Sequence, residues 1–460
     1  MMNKIKEIFK RPQLRYGTYS TAITAVVIGI VIVINMIAGK FSGTIGSIDL
    51  SDNKLYEITD TSKTFLKELD KEITIRVFAD EDSMDERIST FVKKYAALSN
   101  KVSVEWIDPV LHPSTVEEYG AESDTIVVSC EETEKQETIY FSDIITYDYS
   151  SYYTSGYVTE SEFDAEGQLT SAINTVTNEI EKKVYRTSGH GESSFSSTIN
   201  DLFGKSNFTI TELNTLMSGE IPEDCDLLIS YAPTTDFTED EKNMISEYIQ
   251  NGGDVFLILG ITQNETPNLD ALMLEYGMQR AEGYIADTER CYQGNYYYIF
   301  PTLSLSGDLA NGMSTQMVLL VDALGMTETD PARDTISLST FMKTSSSGYA
   351  VDGEDAVQGT YILGATATEN EGQFTVLTAA SLIDSSITDY FTTLENTTLF
   401  MNAVTNHFED VENISIEAKS LAMTYNTVQY AGAFGILFIF GIPIIVLGYG
   451  LVKWLRRRKA

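Results

Sequence analysis

The stretch DLLISYAPTTDFTEDEKNMISEYIQNGGDVFLILG (226–260) decides the fold, because it has the pattern of a complete strand–helix–strand unit. DLLISY (226–231) and DVFLILG (254–260) are continuous apolar runs of strand length, typical of buried strands. Between them, Thr238 and Glu241 form the capping box of an amphipathic helix, which a Gly-Gly pair ends. The unit predicts two parallel strands joined by a helix.

The flanking sequence extends this pattern in both directions. Upstream lie strands predicted at 182–187 and 208–213, with a helix at 194–203 between them. Downstream, strands are predicted at 317–323, 360–366 and 374–380, and a closing helix at 390–407. Repeated units of this kind predict a Rossmann-like α/β domain with a mostly parallel sheet.

A second, smaller α/β domain is predicted nearer the N-terminus. Its strands are expected at 73–79, 102–107, 125–130 and 137–141, and its helices at 83–100, at 114–119 and after a cap at Thr59 or Asp60. The Tyr-, Ser- and Gly-rich stretch that follows has no period, which indicates a linker or long loop. Its tyrosines are expected to pack between the domains, with stacking on sugars as the alternative.

Two uncharged segments near the ends have the length of membrane spans: TAITAVVIGIVIVINMIA (21–38) and YAGAFGILFIFGIPIIVLGYGLV (430–452). Lys and Arg cluster before the first and after the second, so the positive-inside rule places both termini in the cytoplasm. The alternative for the first segment is a cleaved signal peptide. We expect a two-pass plasma-membrane protein in contact with lipid, with its bulk outside the cytoplasm.

The predicted organisation follows from these segments. It comprises a cytoplasmic basic segment (1–17), a transmembrane helix (18–38), a first extracytoplasmic α/β domain (39–146), a linker (147–166), a second, Rossmann-like extracytoplasmic domain (167–410), a juxtamembrane segment (411–429), a second transmembrane helix (430–452) and a cytoplasmic basic tail (453–460).

Composition excludes several classes of protein. The net charge is −36, and the region between the basic ends holds 66 acidic and 21 basic residues. Such a surface repels phosphate backbones, so no nucleic acid is expected as a partner. The three Cys residues are widely spaced and odd in number, which argues against a disulfide scaffold. With only three His, no metal site or cofactor is predicted.

One turn of the sequence has residues that could bind a ligand. No Walker A, H-E-x-x-H, G-x-S-x-G or EF-hand motif occurs. Ser-Gly-His-Gly-Glu (188–192) follows a predicted strand and precedes a helix, where ligands of open parallel sheets bind. We predict Gly189, His190, Gly191, Glu192 and Pro233, the last at the end of strand 226–231, as a candidate ligand site with no catalytic residue assigned. The alternative is a tight turn that His190 and Glu192 stabilise.

A tyrosine cluster, CYQGNYYYIF (291–300), allows two interpretations. A half-buried strand is the expected one, and a platform for stacking sugars is the alternative.

Several longer stretches together resemble a known family. They are IDLSDNKLYEITDTSKTFLKEL (48–69), VEWIDPVLHPSTVEEYG (104–120), LTSAINTVTNEIEKKVYRTSGHGE (169–192), the unit at 226–259, ISIEAKSLAMTYNTVQ (414–429) and WLRRRK (454–459). In this order they resemble the extracytoplasmic auxiliary subunit of gliding-motility-type ABC transporters.

The resemblance implies partners and a class of function. It implies an ABC permease and a cytoplasmic ATPase as partners. It also implies a second domain similar to one in an intraflagellar-transport protein, with Rossmann-like or amidotransferase-like layering and suspected saccharide binding. We therefore expect a non-catalytic transporter subunit that contacts substrate or permease. The alternatives are a cell-envelope enzyme that acts on saccharide through His190 and Glu192, and a two-span sensor, against which the short basic tail counts.

Overall fold

A computed structural model describes residues 54–148, 157–178, 181–262, 264–391, 393–408, 411 and 413–421. The two predicted membrane helices lie outside these residues. Among the residues that are described, no helix combines the length and the apolar character needed to cross a bilayer. The described residues from 58 to 421 form one compact unit. Within it we distinguish a small lobe (58–148 and 157–178) and a large lobe (181–408).

The small lobe is built on a mixed sheet with the strand order β2-β1-β3-β4. Its strands are β1 (Ile73–Phe78), β2 (Val102–Ile107), β3 (Thr125–Cys130) and β4 (Lys135–Tyr140), and its first helices are α1 (Asp60–Glu68), α2 (Glu86–Ala96), α3 (Pro113–Tyr119) and α4 (Phe141–Ile144). β1 is parallel to β2 and antiparallel to β3. The Thr59 side chain caps α1 by accepting a hydrogen bond from the Ser62 amide. The strands predicted here are confirmed to within two residues at each end.

The described parts of the predicted linker (147–166) form strands and the start of a helix that belong to the small lobe. Strands β5 (Ile145–Asp148) and β6 (Thr159–Phe163) pair with each other, and helix α5 (Ala165–Thr177) follows at once. The apolar side of α5 is buried against β3 and β4, so this helix belongs to the small lobe, although the second domain was predicted to begin at residue 167. Mostly polar, partly exposed strands such as β6 have no continuous apolar run to reveal them.

The large lobe contains a parallel core of β7 (Lys182–Ser188), β8 (Phe208–Asn214), β9 (Leu227–Tyr231), β10 (Val255–Ile258) and β22 (Gly372–Leu377), in the order β8-β7-β9-β10-β22. The strands between β10 and β22 are β11 (Met278–Arg280), β12 (Tyr284–Asp287), β13 (Cys291–Tyr292), β14 (Asn295–Ile299), β15 (Thr302–Leu303), β16 (Leu320–Val321), β17 (Met326–Glu328), β18 (Ile336–Lys343), β19 (Gly348–Asp352), β20 (Asp355–Gly359) and β21 (Ile362–Glu369).

The sheet continues beyond β22 as antiparallel strands, β21, β17 and β11, with β18 also paired to β21. Three late strands were predicted. The prediction at 374–380 overlaps parallel β22, and the prediction at 360–366 overlaps antiparallel β21. Of 317–323, only the two residues of β16 form a strand, which pairs with β14. An apolar run predicts burial but carries no information on strand direction, which explains the difference.

Helices cover both faces of the parallel core. They are α6 (Ser197–Lys205), α7 (Thr215–Ser218), α8 (Glu239–Gln250), α9 (Pro267–Glu275), α10 (Ser385–Thr388) and α11 (Asn396–Thr405), with 3-10 turns at Gly307–Ala310 and Ala380–Leu382. α6 and α11 pack on the face that carries Phe256, and α8 and α9 on the face that carries Leu257. Each such side chain contributes about 2 kcal/mol by burial. The layered α/β architecture predicted from 226–260 is thus confirmed, although α11 is shorter than predicted.

Residues 413–421 were predicted as the start of a juxtamembrane segment, but they pack on the compact unit. Ile414 and Ile416 are buried, and β23 (Lys419–Ser420) pairs antiparallel with β6. This stretch is therefore part of the folded body.

Candidate functional site at the strand ends

The predicted site residues meet where the parallel core reverses its direction of winding. From β7 the chain passes to β8 on one side, whereas from β9 it passes to β10 on the other. The crevice at the carboxyl ends of β7 and β9 is thus the topological switch point, where ligands of open α/β sheets bind. Gly189, His190, Gly191 and Glu192 follow β7, and Pro233 follows β9.

Two glycines shape the first loop, and its backbone is joined to the second loop. Gly189 and Gly191 have φ angles of +118° and +72°, which side-chain-bearing residues rarely adopt. A Cβ on Gly191 would lie 2.2 Å from Thr234 Oγ1. The carbonyl oxygen of His190 accepts hydrogen bonds from the amides of Thr234 and Thr235, at 2.9 and 3.0 Å. The two loops therefore close on each other.

The His190 side chain lies between two glutamates. Its Nε2 is 3.1 Å from Oε2 of Glu241, and its Nδ1 is 3.4 Å from Oε1 of Glu192. Phe237 packs edge-on against the imidazole, with 4.9 Å between the ring centroids. The three ionisable side chains are each 5% exposed or less, so they form a buried carboxylate–imidazole–carboxylate row.

The charges in this row hold one another in their ionised forms. Burial alone would lower the pKa of His190, but the hydrogen bond to Glu192 and the charge of Glu241 outweigh it, so the pKa is raised. Burial opposes ionisation of Glu192 and Glu241 as well. Bonds from His190 to Glu192, and from Thr215 and Thr238 to Glu241, nevertheless lower the pKa of both carboxyls.

This arrangement is buried, so a proton held between these side chains is kept away from solvent. Catalysis by His190 and Glu192 on a bulky saccharide would require the loop to open, because the imidazole is 2% exposed. The geometry therefore favours the tight-turn alternative for the side chains of this loop. Sequence reasoning missed the role of Glu241, which it treated only as part of the capping box of α8; no local signal links it to a histidine 51 residues away.

An open cleft of about 810 Å³ lies further along the same edge of the sheet, beyond β10. Exposed Ile261, Leu274 and Tyr284 form its apolar walls, and Glu265, Glu282, Asp352 and the Asp270–Arg280 ion pair (3.0 Å) supply its polar groups. Burial raises the pKa of Asp270 against the opposing effect of Arg280. A volume of this size accommodates a small organic ligand.

A smaller recess of about 220 Å³ shares Ile261 and Leu324 with the cleft and extends to Asp322, Ser381 and Asp384. An aromatic surface lies beside it, since the amide of Asp322 donates to the carbonyl of Tyr297. The tyrosine cluster forms strand β14, as expected, but Tyr296 and Tyr297 on this strand are exposed.

The other candidate ligands are scattered. His112 is exposed before α3, whereas His407 is buried, with its Nδ1 3.5 Å from Asp254 Oδ2. All three cysteines are free thiols. Within the described ranges no group of three or more His, Cys, Asp and Glu side chains is arranged to hold a metal ion.

Several known structures are distantly similar to this chain. A structure titled "mmIFT52 N-terminal domain" is 17% identical, with a TM-score of 0.38, and the match covers 50% of this chain and 99% of that one. A putative ThuA-like protein from Bacteroides uniformis is 11% identical (TM-score 0.33, 51% and 95% covered). An exo-beta-1,4-mannosidase from an Opitutaceae bacterium is 11% identical (TM-score 0.28, 70% and 48% covered). No curated protein matched the chain.

Two families match by sequence. Residues 52–146 match a domain of unknown function (DUF7088). Residues 181–392, which make up most of the large lobe, match the ABC transporter auxiliary family, described as an ABC-type uncharacterized transport system. The resemblance noted from sequence is thereby confirmed: over residues 181–392 the large lobe matches the auxiliary family of ABC-type transport systems.

Proposed function

We propose that the protein is a membrane-anchored, non-catalytic auxiliary subunit of an ABC transporter, with its two-lobed body outside the cytoplasm. The observation that carries the proposal is the family match over 181–392. The uncharged segments 21–38 and 430–452 would anchor the chain, and a permease and a cytoplasmic ATPase would be its partners. The body would then present ligand or contact the permease on the outer face.

The open cleft beyond β10 is the better candidate for ligand contact than the crevice at His190. The cleft offers about 810 Å³ lined by exposed groups, whereas the switch-point loops are hydrogen-bonded to each other. Both lie at the carboxyl edge of the same parallel strands, where this class of sheet binds ligands.

The groups that line the cleft suit a saccharide. Carboxylates such as Glu282 and Asp352 accept hydrogen bonds from hydroxyls, and the Arg280 guanidinium donates them. The ring of Tyr284 offers an aromatic face on which the apolar side of a sugar can pack. These features support saccharide as the ligand class of the proposed subunit.

Co-purification tests the partnership. The full chain, carrying an affinity tag and expressed in its own host, should retain a multi-span permease and an ATPase in mild detergent. The isolated chain should hydrolyse no ATP, because it lacks a phosphate-binding loop. A chain that purifies alone from chemically cross-linked membranes would contradict the proposal.

Calorimetric titration with chitotetraose tests the ligand class. Tyr284→Ala should weaken binding roughly tenfold, as expected for the loss of about 1.4 kcal/mol of stacking and packing. Tyr147→Ala, which removes an exposed tyrosine of the small lobe, is the matched control and should leave affinity unchanged. Equal effects of the two substitutions would exclude the cleft as the saccharide site.

A further inference from the structure

Residues 413–421, here called the strap, run between the two lobes. On the small-lobe side, β23 pairs with β6, so that Lys419 lies opposite Phe163 and Ser420 opposite Glu162. The amide of Leu421 also donates to the carbonyl of Ser161 at 2.8 Å. The strap thus adds an edge strand to the β5–β6 pair.

One buried carboxylate joins the strap to the beginning of the compact unit. Glu166 has a side chain that is 3% exposed, and its Oε1 accepts hydrogen bonds from the Thr59 amide (2.7 Å), the Thr59 hydroxyl (2.7 Å) and the Ser62 hydroxyl (2.8 Å). Its other oxygen, Oε2, lies 3.2 Å from Nζ of Lys419. Helix α1, helix α5 and the strap therefore share a single acceptor group.

The strap is also held by the large lobe. The carbonyl of Ile416 accepts from Nζ of Lys205 on α6 at 3.0 Å, and the same ammonium pairs with Asp164 of the small lobe at 2.8 Å. The Thr397 hydroxyl on α11 donates to Glu417, and Asn413 donates to Asn402 on α11 at 2.7 Å. The strap is thus bonded to both lobes.

Water can replace most of the polar contacts of the strap when the strap separates from the lobes. Apart from the buried side chains of Ile414 and Ile416, the contacts are ion pairs and hydrogen bonds, and polar groups regain hydration when they separate, which offsets much of the loss. The strand pairing covers only two residues of β23. A pairing this short is held by few backbone hydrogen bonds, so its local opening requires less free energy than opening of the parallel core.

We propose that the strap is a releasable fastener: it fixes the small lobe against the large lobe, and its displacement frees the two lobes to reorient. The predicted membrane segment 430–452 begins nine residues after Leu421, so a movement of that segment would act on the strap first. Only this last step rests on the proposed function, since the fastening itself rests on contacts within the compact unit.

Glu166→Gln tests the fastener in the purified full chain, without permease or ATPase. The substitution keeps the size of the side chain but removes the charge that Lys419 and three hydroxyl or amide donors share. Amide hydrogen exchange in 159–163 and 419–421 should become roughly tenfold faster, whereas exchange in β7, β9 and β10 should not change. Glu118→Gln, on exposed α3, is the matched control and should leave all of these rates unaltered.

Spin labels on Glu86→Cys in α2 and Glu247→Cys in α8, in a chain whose three native cysteines are replaced by serine, report on the lobes. Glu166→Gln should broaden the distance distribution between the labels. Faster exchange of the strap with an unchanged distribution would overturn the proposal, and so would unchanged exchange. Because no transporter partner is present, these outcomes are independent of whether the chain co-purifies with one.

A disulfide lock provides a second test, for the case that Glu166→Gln does not fold. Residues opposite each other in an antiparallel pair have Cα atoms about 4.5–5.5 Å apart, which suits a disulfide. Glu162→Cys with Ser420→Cys should slow exchange in 159–163 at least tenfold when oxidised, and reduction should reverse this. Exchange that is the same in the oxidised and reduced forms would show that the strap does not release, and the proposal would fail.

Discussion

At the scale of the residue, His190 is the group whose environment has the clearest consequence. It is buried between Glu192 and Glu241, and its pKa is raised while the pKa values of both glutamates are lowered. A protonated imidazole in this position bonds both carboxylates, whereas a neutral one leaves two buried negative charges with less compensation. The row therefore stabilises the fold only within a window of pH.

We expect the free energy of unfolding to depend on pH through this row. The raised pKa of His190 gives a contribution that is complete below about pH 6.5 and is lost as the pH rises through the folded value. The lowered pKa values of the glutamates give a contribution that is present above about pH 4.5 and is lost as the pH falls. His190→Gln should cost about 3 kcal/mol at pH 6 and much less at pH 9, measured by urea unfolding.

His112→Gln serves as the control for His190→Gln. His112 is exposed before α3 and its side chain makes no capping hydrogen bond, so its replacement should leave the pH dependence of unfolding intact. Parallel pH profiles for wild type and His190→Gln would show that the row contributes nothing.

The location of this site could be predicted from sequence, but its partners could not. The Gly-His-Gly-Glu turn follows a strand, and the carboxyl end of a parallel strand is where a site is expected. Glu241 reaches His190 only because β9 and α8 return to the same edge of the sheet, a contact between distant residues that no local pattern records. The cleft at Tyr284 was missed for the same reason, since its walls come from α9, β11, β12 and the end of β19.

At the scale of the element, the strand–helix–strand units and the strands of the small lobe were predicted well, and the antiparallel strands of the large lobe poorly. DVFLILG contains the fully buried β10, and its continuous apolar run follows from burial on both faces. Buried and exposed residues alternate along much of β18, and β20 is almost entirely exposed. Both strands carry many polar residues and lie between turns, so neither has a continuous apolar run that would predict a strand. Secondary structure that depends on pairing with a distant strand is the part that sequence patterns miss.

The loop after β7 offers a test at this scale. Gly191→Ala should destabilise the protein by about 1–3 kcal/mol, because the residue has φ +72° and its new Cβ would lie 2.2 Å from Thr234 Oγ1. Gly219→Ala is the matched control, with φ +65° but no atom within 4 Å of the added Cβ, and should cost about 1 kcal/mol. Thermal unfolding of both variants measures the difference, and equal losses would mean that the contact between the loops is loose.

At the scale of the whole molecule, the predicted separation into two linked domains differs from the structure most. The Tyr- and Ser-rich composition of 147–166 indicated a linker, yet β6 and α5 join the small lobe and the strap lies across both lobes. Amino-acid composition shows only that a segment is polar on average. It does not show that a few buried contacts, such as those of Glu166, hold the segment in the fold.

The proposed topology is testable on intact cells. Protease added to protoplasts should digest the body between residues 58 and 421, while an epitope appended after Ala460 should stay protected, because the basic segments are expected inside. Permeabilised protoplasts should lose both signals. A body that resists protease while the epitope is cleaved would place the protein the other way round.

The shared carboxylate of Glu166 has a consequence for engineering. Thr59 and Lys419 bind its two oxygens at 2.7 and 3.2 Å, so the first and the last described segments of the compact unit lie at neighbouring points. Bridging such points costs little loop-closure entropy. The two lobes could accordingly be inserted together into a surface turn of an unrelated host protein. They could also be circularly permuted, with the two ends joined by a short peptide and new termini placed elsewhere.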